Sequence, residues 1–284
     1  MGMVRKGVTI TSVLVVVVAV VVVAVVFITN LKGPQLPYCS VNASGNDANA
    51  TTSDSSSPPH YTFSAEQAGN AATIAAVGMR MGLPAHAVTI ALATALQESK
   101  LINLTSGDRD SAGLFQQRPS QGWGTYDEVT DPVHAATAFY QHLMTKAGWQ
   151  DLPVTQAAQE VQHSATPDAY AQWEDQSRAM ASALTGETQA QLSCHNLSVA
   201  PSKQDIGTVA QGEWGTSTVS GAHDAAQGWA IGTWLVAKAT QLGIDSVTVG
   251  DRTWTAESGD WSTATGAAGS GTVSLQTVKV TPTS

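Results

Sequence analysis

Glu98 stands where an unusually apolar stretch ends, and that position gives its carboxyl group a reason to keep its proton. Between Ala85 and Leu96 only His86, Thr89 and Thr94 interrupt small or apolar residues, and these three share no single face. A helix that is apolar nearly all round is a buried helix. The stretch closes with Gln97-Glu98-Ser99-Lys100, so Glu98 emerges at the C-terminal end of a buried element. Partial desolvation and the negative end of the helix dipole both raise the pKa of a carboxyl placed there. A carboxylic acid still protonated near neutral pH can protonate a glycosidic oxygen. On its own, however, a glutamate at a helix end is most often a solvated surface residue, so its neighbours must decide.

The next segment carries the decision: Gly107-Asp108-Arg109-Asp110-Ser111-Ala112-Gly113-Leu114-Phe115-Gln116-Gln117. Glu98-Ser99 followed by this stretch resembles the lysozyme-like superfamily of goose-type lysozymes and lytic transglycosylases. There a catalytic Glu is followed by Ser at the end of a buried helix. The family's downstream Gly-Leu-Met-Gln motif is similar to Gly113-Leu114-Phe115-Gln116, and goose-type enzymes carry a Gly-Asp-Arg that matches Gly107-Asp108-Arg109. The resemblance covers roughly Ser64 to Gly186 and implies cleavage of peptidoglycan glycan strands without a cofactor. It implies that Glu98 is the acid and that Asp108 corresponds to an acidic residue that positions an attacking water. Asp108 and Asp110 are otherwise turn residues making Asx bonds. Ser99 can orient the Glu98 carboxyl. Gly113 lets the backbone approach a sugar ring, and Gln116 offers both donor and acceptor to an N-acetyl group or to the acid. Trp123 can stack on a sugar or simply pack.

The departures are informative. A further carboxylate of goose-type enzymes falls near Gln117-Arg118, where no acid stands, and the later Tyr-Asn motif is not recognisable. Gln162, Ser164 or Tyr170 fills that part of the cleft, and Tyr170 is carried forward as a substrate-binding candidate. With one secure carboxylate, lytic transglycosylation is the better expectation: a single Glu protonates the leaving oxygen and then deprotonates the muramic acid 6-hydroxyl. Intramolecular attack by that hydroxyl has a high effective molarity. The rival class is a non-catalytic glycan-binding or envelope-assembly protein of a secretion or conjugation machine. The histidines show no metal-ligand spacing, and no serine nucleophile elbow or phosphate loop is present.

These residues need a frame, and the chain supplies helix signals for one. Ser64-Ala65-Glu66-Gln67 has the form of a capping box, opening a helix to about Met81 that Gly82 ends. Pro84 suits the first turn of the helix that reaches Glu98. Asp131-Pro132 reads as N-cap and N1 of a helix to about Lys146. Further helices fit Val154–His163 and Pro167–Leu184, and residues 104–124 read as loop. His223 to Leu242 reads as a helix, with strands at Ser246–Val249, Arg252–Ala256 and Val273–Val280. The tryptophans of this last part read as core.

The resulting expectation is a mainly α protein: a lysozyme-like α-rich domain after an N-terminal transmembrane helix, plus a small C-terminal α+β domain. Its divisions are a cytoplasmic tail 1–6, an anchor 7–29, a linker 30–63, the α-rich domain 64–195, a linker 196–221 and the small domain 222–284. Gly7 to Thr29 is free of charge, long enough to cross a bilayer, and Arg5 and Lys6 precede it, placing the N-terminus inside. A cleaved signal peptide is the rival, but no small-x-small site follows within Phe27 to Pro34. Cys39 and Cys194 fit a disulfide in an oxidising compartment, closing a loop of about 155 residues; two unpaired thiols are the alternative. With 12% charged residues and a net charge of −9, the chain lacks the basic face that nucleic acid requires. The expected partners are peptidoglycan strands, the membrane, and envelope proteins through the C-terminal domain.

Overall fold

The first helix starts where the sequence predicts. In the computed structural model, which describes residues 35–43, 60–164, 166–266 and 268–279, the Ser64 side chain accepts from the Gln67 amide and Gln67 returns the bond to the Ser64 backbone. That reciprocal cap opens α1 (Ala65–Arg80), after strands β1 (Tyr38–Asn42) and β2 (His60–Phe63). Next comes α2 (Ala85–Ser99), whose N-cap is Pro84. Then follow α3 (Tyr126–Val129), α4 (Pro132–Met144, capped by Asp131), α5 (Val154–Gln162), a 3-10 segment Pro167–Trp173 and α6 (Glu174–Leu184). The chain continues through β3 (Leu192–His195), α7 (Ile206–Trp214), β4 (Gly221–Ala222), α8 (Ala225–Ala237) and α9 (Ala239–Leu242). It ends with β5 (Ile244–Val249), β6 (Arg252–Thr255), β7 (Trp261–Thr263) and β8 (Thr272–Thr277).

Helix α2 is the axis. Every residue from Ala87 to Leu96 is buried, and α6, α5, the Pro167–Trp173 segment, α1 and α4 all pack on it. Its alanines let neighbours approach closely, while Ile90 and Leu92 fill the interior completely. Each such side chain contributes about 1.5–3 kcal/mol on burial.

The mainly α expectation is corrected. The architecture is mixed, with 47% helix and 16% strand in two antiparallel sheets. One sheet has the order β2-β1-β3 and the other β4-β8-β5-β6-β7. Two causes hid the first sheet. Its strands are four or five residues long, too short to display a period. They also come from distant parts of the chain and find stability only in pairing. Cys39 sits opposite Cys194 in the β1–β3 register, and the two form the expected disulfide across a sequence separation of 155 residues. Part of the segment expected to be a linker, 30–63, is therefore sheet, and 196–221 contains α7.

Among the described residues no helix is long and apolar enough to cross a membrane. The apolar run 7–29, expected to do so, lies outside the described residues, as does the tail 1–6.

The described residues from Pro37 to Lys279 make up one compact unit. Helix α8 packs on β5, β3 and β8 as well as on α1 and α6, so both sheets share a helix with the bundle around α2. The fully buried Trp234 and the nearly buried Trp229 are its contribution to that shared core. Gly186, just past α6, has φ +76° and runs so close to α8 that a Cβ there would overlap the Ala226 carbonyl. The tryptophans expected as core include these two and Trp254, also fully buried.

Candidate active site

Glu98 lies in the last turn of α2, half-buried. The Tyr170 hydroxyl, from the Pro167–Trp173 segment, donates to Glu98 Oε1 at 3.0 Å. Burial pushes the Glu98 carboxyl above the usual carboxylate range, with the Tyr170 hydrogen bond and the positive charge of Lys100 pulling in the other direction. Tyr170 is itself fully buried. Burial first, then the charge of Glu98, raise its pKa and keep the phenol protonated. Since Tyr170 donates to Oε1, a proton carried by the Glu98 carboxyl sits on Oε2.

The Gly113–Gln116 loop is built against this helix end, but its side chains turn inward. Ser99 is bonded to loop and helix: its hydroxyl meets the Leu114 carbonyl at 2.7 Å and the Ala95 carbonyl at 3.0 Å. Gln116, with φ +49°, accepts from the Ser111 hydroxyl at 3.1 Å and donates to the Gly113 carbonyl at 3.1 Å. Gly113 has φ +79°, and a Cβ there would overlap the Val129 carbonyl. Close approach of backbone to backbone accounts for that glycine. From α5, Gln162 Nε2 donates to the Phe115 carbonyl at 2.9 Å, while Leu114 and Phe115 are wholly buried.

The acidic residues of the loop are placed apart from one another in role. Asp108 has a side chain 93% exposed, 3.9 Å from Arg109. Its backbone carbonyl accepts from the Ser111 hydroxyl. Asp110 is tied to Arg118 at 2.8 Å and to the Ser120 amide at 2.8 Å. Hydrogen bonds from Ser120 and Arg118 hold it well below the usual carboxylate range, and they make it a strut of the loop. Trp123 stacks on His142, with ring centroids 4.0 Å apart and planes inclined by 21°, which occupies one of its faces.

A second set of residues surrounds Glu98. Trp173 Nε1 donates to Gln97 Oε1 at 2.9 Å, and Gln172 Nε2 donates to the same oxygen at 3.2 Å. Lys100 Nζ lies 4.1 Å from the centre of the Trp173 ring. Lys100 and Leu101 both have positive φ, 58° and 60°, and α1 holds their carbonyls through Gln67 and Asn70 at 2.7 and 2.8 Å. Gln97 and Lys100 adjoin the acid in sequence; Trp173 and Gln172 have no local signal that connects them to it. The structure thus brings Glu98, Ser99, Gln97, Lys100, Tyr170 and Trp173 to one helix end.

Among the described residues no cluster of three or more His, Cys, Asp or Glu side chains could hold a metal ion. No family model and no curated protein matches the chain.

Proposed function

We propose that the protein cleaves the glycan strands of peptidoglycan as a lytic transglycosylase, with Glu98 as both acid and base. The observation that carries this reading is the Glu98 carboxyl: half-buried at the end of a buried helix, raised in pKa by burial, and bonded to a phenol that stays protonated. Protonated Glu98 donates from Oε2 to the glycosidic oxygen as the bond to the muramic acid C1 breaks. The carboxylate left behind accepts the proton of the muramic acid C6 hydroxyl, whose oxygen bonds to C1 and closes the 1,6-anhydro ring. Glu98 ends the cycle protonated, and no water is consumed. The exposed setting of Asp108 supports this route over hydrolysis, because a water-positioning carboxylate works best in a sheltered place. The buried Cys39–Cys194 disulfide supports work outside the cytoplasm, where disulfides persist.

The purified protein should clear peptidoglycan in a zymogram. Glu98→Gln should lower the rate by about 10²- to 10⁴-fold, the usual contribution of a general acid. Mass spectrometry of the products should find anhydromuramic ends. Reducing ends alone would indicate hydrolysis, and strand binding without cutting by the wild type would favour a glycan-binding module.

A further inference from the structure

A left-handed helix cap is the place where glycine costs least, because its missing Cβ removes the clash an L-residue meets there. After α2 the chain instead sets two side-chain-bearing residues in that conformation, Lys100 at φ 58° and Leu101 at φ 60°. Strain of this kind persists only where the surroundings enforce it. Here α1 enforces it, through Gln67 on the Lys100 carbonyl and Asn70 on the Leu101 carbonyl. Leu101 fills core. Lys100 is exposed, and its ammonium is held against Trp173. The Trp173 indole is in turn fixed by its bond to Gln97, the residue just before the acid. A surface lysine two residues after Glu98 has been given a defined seat on the indole that Gln97, the acid's neighbour, holds in place.

We propose that Lys100 is a positioning residue for proton transfer at Glu98: its ammonium, seated on Trp173, supplies the fixed positive charge against which the carboxylate forms after proton donation. The inference rests on the acid–base role given to Glu98 above. When Glu98 releases its proton, a negative charge appears in a partly desolvated site at the negative end of a helix dipole. Tyr170 and Lys100 are the groups that oppose that cost. Charged groups on the other elements packed against α2 are engaged elsewhere or solvated. Arg80 of α1 bonds Thr137 and the Gly212 carbonyl, and Glu174 pairs with Arg178 on α6. His142 of α4 stacks on Trp123 and His134 lies beside Gly124, while Glu66, Glu160, His163, Asp168 and Asp175 are exposed.

The test is a carboxyl-carbon NMR titration of Glu98 in the full chain, assigned by the resonance lost in Glu98→Gln. Lys100→Met should move the Glu98 midpoint up by about 0.5–1 pH unit, as loss of a nearby opposite charge does. Lys100→Arg should restore it. Lys100→Gly should show the same upward shift while melting no lower than Lys100→Met, since glycine relieves the strained cap; this separates charge from folding. The basic limb of the cleavage rate should move with the midpoint. A Lys100→Met midpoint equal to the wild type overturns the proposal. The titration needs no turnover, so a chain that shows the shift and fails to cut glycan refutes the enzymatic reading alone. A chain that cuts glycan without the shift refutes the role of Lys100 alone.

Discussion

In the proposed cycle Glu98 gives up a proton and then takes one back, so it must be unstable in neither form, and it is balanced in that sense. Burial disfavours its carboxylate, while the Tyr170 hydroxyl and Lys100 favour it. The balance has a consequence for stability. Because the folded state binds the Glu98 proton more tightly than the unfolded chain does, stability is full below the ordinary glutamate range. It falls as pH rises from there to the higher folded-state pKa. Glutamine has no such loss. Glu98→Gln should therefore melt higher than the wild type at pH 7 and no higher at pH 3 in scanning calorimetry. An equal or lower melting temperature at pH 7 would show that the acid is not stabilised in its neutral form. The buried helix that ends at Glu98 could be read from sequence because it announces itself by composition, while the resemblance carried by residues 107–117 singled out the glutamate. Tyr170 remained one of three choices, since nothing local connects position 170 to position 98.

At the scale of the element, the loop from Leu104 to Gly124 is a hydrogen-bonded frame. The Gly113 amide donates to the Leu104 carbonyl, and Ala112 bridges to Gln117. Asn103 and Gln117 reach the Thr130 and Ala135 carbonyls. Buried backbone groups must find partners, and the polar residues of the motif supply them. That is why Ser99 and Gln116, expected to face the acid or a sugar, bond to loop carbonyls and hydroxyls. Gly113→Ala should cost about 1–3 kcal/mol from overlap with Val129, beyond the cost of the left-handed conformation itself. Gly122→Ala is the control: it shares a positive φ of 82° but has open space at its Cβ. Urea unfolding of the two variants should separate them, and equal losses would mean that conformation alone explains Gly113.

At the scale of the whole unit, a buried ion pair and the hydrogen bonds around it join all three regions expected to be a domain, a linker and a second domain. Lys238, at the end of α8, lies 2.9 Å from Glu213 of α7, both almost wholly buried. Thr73 of α1 accepts from Lys238 at 2.9 Å, and Trp234 Nε1 donates to Glu213 at 2.7 Å. Removing one partner strands a charge in the interior. Lys238→Met should destabilise by about 3–5 kcal/mol, and adding Glu213→Leu should recover much of that, because two apolar side chains leave no charge unpaired. Denaturant unfolding measures both. A double variant no better than the single would mean that Glu213 is stabilised by Thr73 and Trp234 without the lysine.

The sequence by itself determined the elements whose signals are local: the Ser64 cap, the nearly all-apolar helix that delivers Glu98, the Asp131 cap, the tryptophan core and three of the four strands after Leu242. Each is written in a few adjacent residues, so composition and period suffice to read it. Tertiary structure alone decided the β2-β1-β3 sheet, the docking of α8 between sheet and bundle, and the company that Glu98 keeps. Those arrangements join residues such as Cys39 and Cys194, Thr73 and Lys238, or Gln97 and Trp173. The free energy of such pairings exists only once the intervening chain has folded, so no local pattern encodes it.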